Sequence, residues 1–251
     1  MGGAIQVSEE RGVRYLHFGS HWVQGAMRMS RPYALELEYT REMMLPLLLR
    51  PAAHWPARAL LIGLGAGSLL KFLWRHRPRC AITVVETRED VVTAAAQFFR
   101  LPDDPDRLTI ELADGVSFVS GPGPRFDLIL VDGYDAKGRV GALDTPSFYR
   151  NCRGRLSDDG LLATNLLSRH RGIDASLARL ADTFERRAMS LAPCASGNII
   201  AIAARGAAVD LDARELAARA AAFRAETELN LTPTVERLAR RQKAYAAPAV
   251  L

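Results

Sequence analysis

The stretch ALLIGLGAGSLLKFLWRHR, residues 59–77, decides the fold. Its first four residues form a short, uninterrupted apolar run, as a strand buried on both faces requires. Gly63, Gly65 and Gly67 follow within five positions. Glycines let a backbone turn sharply and approach a ligand without a Cβ in the way. From Ser68 the apolar residues recur with helical spacing, so a helix N-terminus with free N–H groups should begin there. Strand, glycine turn and helix in that order open a doubly wound α/β domain.

The same grammar repeats downstream. AITVVE (81–86) reads as a second buried strand and REDVVTAAAQFFRL (88–101) as a helix. LTIELADG (108–115) is a third strand, VSFVSG (116–121) a short helix and FDLILVDGYD (126–135) a fourth strand. Residues 145–156 should be helical, with Thr145 as N-cap and Pro146 at the first helical position. DDGLLATNLL (158–167) gives a fifth strand and residues 174–187 an amphipathic helix. RAMSLAP and NIIAIAAR then read as a hairpin across the CASGN turn. Upstream, residues 13–29 alternate around Gly19 and Gly25 as short strands, and 33–49 carry a helical apolar stripe. Residues 211–245 suggest two alanine- and arginine-rich helices. The expected organisation is a small N-terminal β region with a helix (1–50), a Rossmann-like nucleoside-binding domain (51–205) and a C-terminal helical extension (206–251). The fold class is α/β: a doubly wound sheet with an antiparallel edge hairpin, preceded by a small N-terminal β region.

The glycine spacing is GxGxG, whereas a dinucleotide pyrophosphate asks for GxGxxG. That favours a nucleoside sulfonium such as S-adenosylmethionine. Two acidic strand ends support a nucleoside. Glu86 should stand beside the glycine turn at the carboxyl edge of the sheet, where a carboxylate can accept both hydrogen bonds of a ribose diol. Asp114 can accept from an adenine amino group while Gly115 admits the ring. The alternative is that such acids merely cap helices. A further pair, Asp132 and Asp135, ends the fourth strand. A carboxylate pair suits a cationic amine and can take its proton. Taken alone, Asp-Gly-Tyr-Asp-Ala-Lys-Gly reads more readily as turn chemistry.

The 251 residues carry a net charge of +5, distributed as +1 over residues 1–50, zero over 51–150 and +4 over 151–251. A pI near 9.4 raises nucleic acid as a partner. The neutral middle third, the absence of a known nucleic-acid-binding motif and a lone Tyr245 beside the basic run ERLARRQK argue against it. That run reads as a solvated helix face or an oligomer contact. Cys80, Cys152 and Cys194 lack metal-ligand spacing and read as reduced thiols; no metal is expected. MGGAIQVSEERG has no hydrophobic signal core, and no apolar run is long enough to span a membrane. A soluble cytoplasmic protein without a nucleic-acid or membrane partner is expected.

Over residues 13–204 the sequence resembles the spermidine synthase family of polyamine aminopropyltransferases. The resemblance rests on Gln24, Tyr39-Thr40-Arg41-Glu42-Met43, Ile62 to Gly67, Val85-Glu86, Asp114-Gly115, Phe126 to Asp135 and Leu143 to Tyr149. It implies a small N-terminal β-domain, a Rossmann-like catalytic domain of the class I S-adenosylmethionine-dependent type and a homodimer or tetramer. It also implies transfer of an aminopropyl group from decarboxylated S-adenosylmethionine to an amine. By position, Gly63, Gly65, Gly67, Glu86, Asp114 and Gly115 would hold the nucleoside. Asp132 would be the base, with Asp135 helping to anchor the amine, and Gln24, Tyr39 and Tyr134 would line the substrate. Three positions depart from the family pattern: Ala66 replaces the aspartate of GGGDGG, the acidic loop lacks D-[ST]-[ST]-D-P, and Thr40-Arg41 replaces a tyrosine–glutamine pair. An Arg41 facing the site would repel the donor's amine and welcome a carboxylate, as in intact S-adenosylmethionine. Methyl transfer from that donor, or a catalytically silent nucleoside-binding member, are the alternatives.

Overall fold

The computed structural model describes residues 3–19, 22–52, 54–134, 141–169, 172–206, 209 and 212–245, with side chains to residue 240. Two sheets organise it. The N-terminal sheet is antiparallel in the order β1 (Ile5–Glu10), β2 (Val13–Phe18), β3 (Val23–Arg28). Arg11 and Gly12 turn the first hairpin, both with positive φ (49° and 75°), the pairing that matches strand twist. β1 adds a strand that the alternation in residues 13–29 did not announce.

The expected helix over 33–49 is two short ones, α1 (Glu38–Glu42) and α2 (Pro46–Leu49). Pro46 sits at the start of α2, where its missing N–H costs nothing, and so begins a helix instead of ending one. Leu47, Leu48 and Leu49 are all buried.

The main sheet has seven strands in the order β6-β5-β4-β7-β8-β10-β9. β4 (Arg58–Ile62), β5 (Ala81–Glu86), β6 (Leu108–Leu112), β7 (Phe126–Val131) and β8 (Leu156–Leu167) are parallel. β10 (Asn198–Ala204) and β9 (Ala188–Ser190) close one edge antiparallel. The connecting helices are α3 (Ser68–His76), α4 (Glu89–Phe98), α5 (Gly115–Ser120), α6 (Pro146–Arg155) and α7 (Ile173–Thr183). Alternation along each strand splits the core in two. Leu61, Val84, Leu130, Ala163 and Ile202 face one layer, and Leu60, Val85, Ile129, Leu162 and Ala201 the other.

The last two helices, α8 (Ala213–Thr227) and α9 (Thr232–Tyr245), are not a loose appendage. Leu216, Ala220, Phe223, Leu231, Val235 and Leu238 belong to the first of those layers. Arg219 donates to the Leu48 carbonyl at 2.9 Å, and Arg77 pairs with Glu226 at 2.9 Å.

Candidate active site

A cavity of about 1110 Å³ opens at the carboxyl ends of the parallel strands, roofed by β3 and α1. It lies where the strand order reverses between β4 and β7, the crevice where open α/β sheets bind ligands.

The glycine turn forms its floor. Gly63 has φ 97°, and a side chain there would run into the Asp132 carbonyl. The turn and the end of β7 are thus packed backbone to backbone, and the Asp132 N–H donates to the Ile62 carbonyl at 2.9 Å. Gly65, at φ 51°, lies under the Gln24 carbonyl, 3.1 Å from where a Cβ would be. Gly67 does not line the cavity. Its missing side chain makes room for Leu101, so this glycine serves packing.

Glu86 is 9% exposed at the end of β5. Its Oε2 accepts from the Leu64 N–H and its Oε1 from the Arg88 N–H, both at 3.0 Å. Oε1 also accepts from the Thr87 hydroxyl at 3.3 Å, so the carboxylate clamps the glycine turn and Oε2 keeps a lone pair for a ligand hydroxyl. Asp114 does cap a helix: its Oδ1 accepts from the Ser117 N–H at 2.9 Å and the Ser117 hydroxyl at 3.0 Å. The second oxygen stays available on the cavity wall. Gly115 is demanded by Ile62, whose Cγ2 would stand 2.5 Å from a Cβ.

Asp132 is held on both oxygens. Its Oδ2 accepts from the Tyr39 hydroxyl at 3.2 Å and its Oδ1 from the Asn165 amide at 2.8 Å. Burial pushes its carboxyl above the usual range, and those two hydrogen bonds pull the other way. Burial and the neighbouring Asp132 raise the Tyr39 phenol well above its ordinary value, and Tyr134 moves the same way. Both phenols are therefore neutral. Tyr134 donates to the Asn165 carbonyl at 2.6 Å. Asn198 donates to the Asn165 side-chain oxygen at 2.9 Å, and Ser196 to Asn198 at 2.6 Å. This chain of amides runs from the antiparallel edge to the acid and fixes its rotamer. Asp135 lies outside the described residues.

Gln24 and Tyr39 line the cavity. Arg41 does not. It sits on α1 with its guanidinium turned onto the chain that precedes the helix, donating to the Leu35 carbonyl at 2.8 Å and the Glu36 carbonyl at 2.7 Å. The expectation that Arg41 greets a donor carboxylate is thereby corrected. Ala66 is buried, and its methyl faces Gly25 on β3, where a Cβ would come within 2.5 Å. The arginines that do line the wall are Arg88, held by Asp90 and stacked 4.7 Å over Phe18, and Arg169, 5.8 Å over Trp22.

Asn165, Asn198 and Glu38 are cavity residues that the motif reading passed over. Asn165 carried a signal, an amide inside the apolar run LLATNLL of a buried strand. Among the described residues no cluster of His, Cys, Asp and Glu could hold a metal, and no helix is long and apolar enough to cross a membrane. The geometry offers a cavity edged by Glu86 and Asp114 and adjoining a half-buried carboxylate hydrogen-bonded on both oxygens.

Comparison with known proteins agrees with this geometry. The family model described as the spermine/spermidine synthase domain matches residues 38–203. A polyamine aminopropyltransferase of Chromobacterium violaceum is 35% identical over 201 residues, 80% of this chain and 76% of that protein. A probable spermidine synthase from Corynebacterium glutamicum superposes with a TM-score of 0.74 at 22% identity, covering 88% of this chain and 85% of its own, and so shares the fold. Human methyltransferase-like protein 13, solved in complex with SAH, gives a TM-score of 0.68 at 25% identity, covering 77% and 93%. By the extent of the family match and of its curated relative, this chain belongs to the spermine/spermidine synthase domain family.

Proposed function

We propose that the protein is an aminopropyltransferase that moves an aminopropyl group from decarboxylated S-adenosylmethionine to a small amine. One observation carries the reading: a half-buried carboxylate, Asp132, oriented by Tyr39 and Asn165, stands in the same cavity as Glu86 and Asp114. The cradle fits a nucleoside. Gly63, Gly65 and Gly115 line it, and the Glu86 Oε2 retains acceptor capacity for a ribose hydroxyl. The bound donor supplies a carbon from which a sulfonium sulfur departs with the bonding electron pair.

Asp132 receives the proton of the acceptor amine as its nitrogen lone pair forms the new C–N bond. A raised carboxyl pKa makes it a stronger proton acceptor, and the two hydrogen bonds keep its lone pairs aimed. The rest is alignment: Glu86 and Asp114 hold one end while Asp132 and Tyr39 hold the other. The same reading expects a homodimer working in the cytoplasm. Three free, buried cysteines support a reducing compartment, and light scattering checks the dimer.

A second reading, methyl transfer from intact S-adenosylmethionine, is favoured by one observation. Ala66 places a methyl against β3 where an acid would meet the donor's amine. Incubation with each donor and a panel of diamines, read by mass spectrometry, separates the two. An added aminopropyl mass supports the first reading, and an added methyl mass overturns it.

A further inference from the structure

α1 has only five residues, and Leu37 at its N-cap provides no side-chain hydrogen bond. A helix this short does not hold itself together. Yet it carries Tyr39, the hydroxyl donor to Asp132, and Glu38, part of the cavity wall. Something outside the helix must fix it.

That something is on α9. Arg237 reaches both ends of α1 at once. Its Nη1 lies 3.2 Å from Glu38 Oε1, and its Nη2 pairs with Glu42 Oε1. Glu42 is 1% exposed, and among the described residues its carboxylate accepts no conventional hydrogen bond. Arg237 is therefore the charge that makes its burial tolerable. The other Glu38 oxygen accepts from the Ala195 N–H at 3.1 Å, on the turn that leads to Asn198. The basic run that reads as a solvated helix face thus sends one arginine inward.

We propose that Arg237, beyond the segment the family model matches, is a positioning residue: by pairing with Glu38 and Glu42 it sets α1 so that Tyr39 meets Asp132. The kinetic part rests on the transfer reading above; the geometric part does not. The groups facing Asp132 are Tyr39 from α1, Asn165 from β8 and the nearby Tyr134 after β7, with Cys194 close to Tyr39. A slackened α1 removes only the Tyr39 hydrogen bond, which lowers the carboxyl pKa, so that pKa should rise.

The test compares Arg237→Met, Arg237→Lys and Tyr39→Phe with wild type. Arg237→Met should lower kcat roughly 10- to 100-fold, as for a displaced reacting group. Methylthioadenosine affinity should stay unchanged. The acid limb of the kcat profile should move to higher pH, as in Tyr39→Phe, and Arg237→Lys should recover part of both effects. If Arg237→Met does not fold, Glu42→Gln/Arg237→Met removes the stranded charge and takes its place. A wild-type kcat and acid limb in the variant, or a loss of nucleoside affinity in step with kcat, overturns the proposal. A 13C titration of the Asp132 carboxyl, assigned through Asp132→Asn, reads the same shift without turnover. An inactive wild type would then sink the transfer reading while the titration still decides the role of Arg237.

Discussion

Replacing Asp132 by asparagine should abolish transfer and leave the fold no less stable. The two oxygens have different partners: Asn165 presents an N–H, while Tyr39 presents a hydroxyl that can donate or accept. An asparagine can keep its oxygen toward Asn165 and turn its NH2 toward Tyr39, so neither partner is stranded. The carboxyl pKa is raised in the folded chain, which means that folding disfavours the ionised form. That penalty is absent at low pH and grows as pH rises from the unfolded carboxylate value of about 4 through the folded one. The variant lacks it. Its melting temperature should equal wild type in acid and match or exceed it at neutral pH. Loss of a general base costs about 10²- to 10⁴-fold in rate. On the proposed reading methylthioadenosine is held by the glycine turn, Glu86 and Asp114, so its affinity should be retained. Calorimetric binding, thermal melts from pH 4 to 8 and mass-spectrometric turnover cover the three claims. Turnover within tenfold of wild type, or a melting temperature that falls further below wild type as pH rises, would refute the reasoning.

Three other perturbations bear on separate parts of the structure. Glu86→Gln keeps the shape but gives up the charge and one acceptor, and charge-assisted hydrogen bonds contribute about 2 kcal/mol, so methylthioadenosine should bind roughly 30-fold more weakly by calorimetry. Gly25→Val drives a Cβ to 2.5 Å from the Ala66 Cβ and 2.9 Å from its backbone nitrogen. Neither can move freely, so a loss of about 1–3 kcal/mol in denaturant titration is expected together with weaker nucleoside binding. Lys71 is 1% exposed on α3, its ammonium donates to the Phe99 carbonyl at 2.7 Å, and burial lowers its pKa to about 7. The unfolded chain binds the proton more tightly, so wild-type stability should rise between about pH 7 and 10. Lys71→Met should flatten that rise and gain most below it; an unchanged pH dependence would show that the lysine stays charged in the fold.

The parts of the site that follow from local chemistry could be read from sequence. An apolar run closing on Gly63, or on Glu86, announces a buried strand and its carboxyl edge, and the sheet order does the rest. What required the third dimension was direction and partnership. Whether Arg41 faces the cavity depends on which side of a one-turn helix looks inward, and five residues give no periodicity to decide it. The Asn165–Asn198 pair joins antiparallel strands separated by a helix, so only the register of β8 with β10 brings it together. Asp114 caps α5 with one oxygen while lining the cavity, so the cap its position suggested does not exclude a ligand contact. Arg237 looked like one charge in a basic run, because nothing near it in the chain reveals a buried glutamate on α1.

The contact between Gly25 and Ala66 also bears on how such a site can change. One residue lies on β3 and the other in the glycine turn after β4, yet neither can grow without the other giving way. An acid introduced at position 66 would need β3 to lift, and β3 cannot be altered at Gly25 while the turn stays where it is. Substitutions here would have to arrive together or with a backbone adjustment, so single-step screens should find this corner of the pocket nearly immutable. Changes in donor preference would be reached more readily around Trp22 and Arg169, where side chains meet through exposed surface and not through backbone.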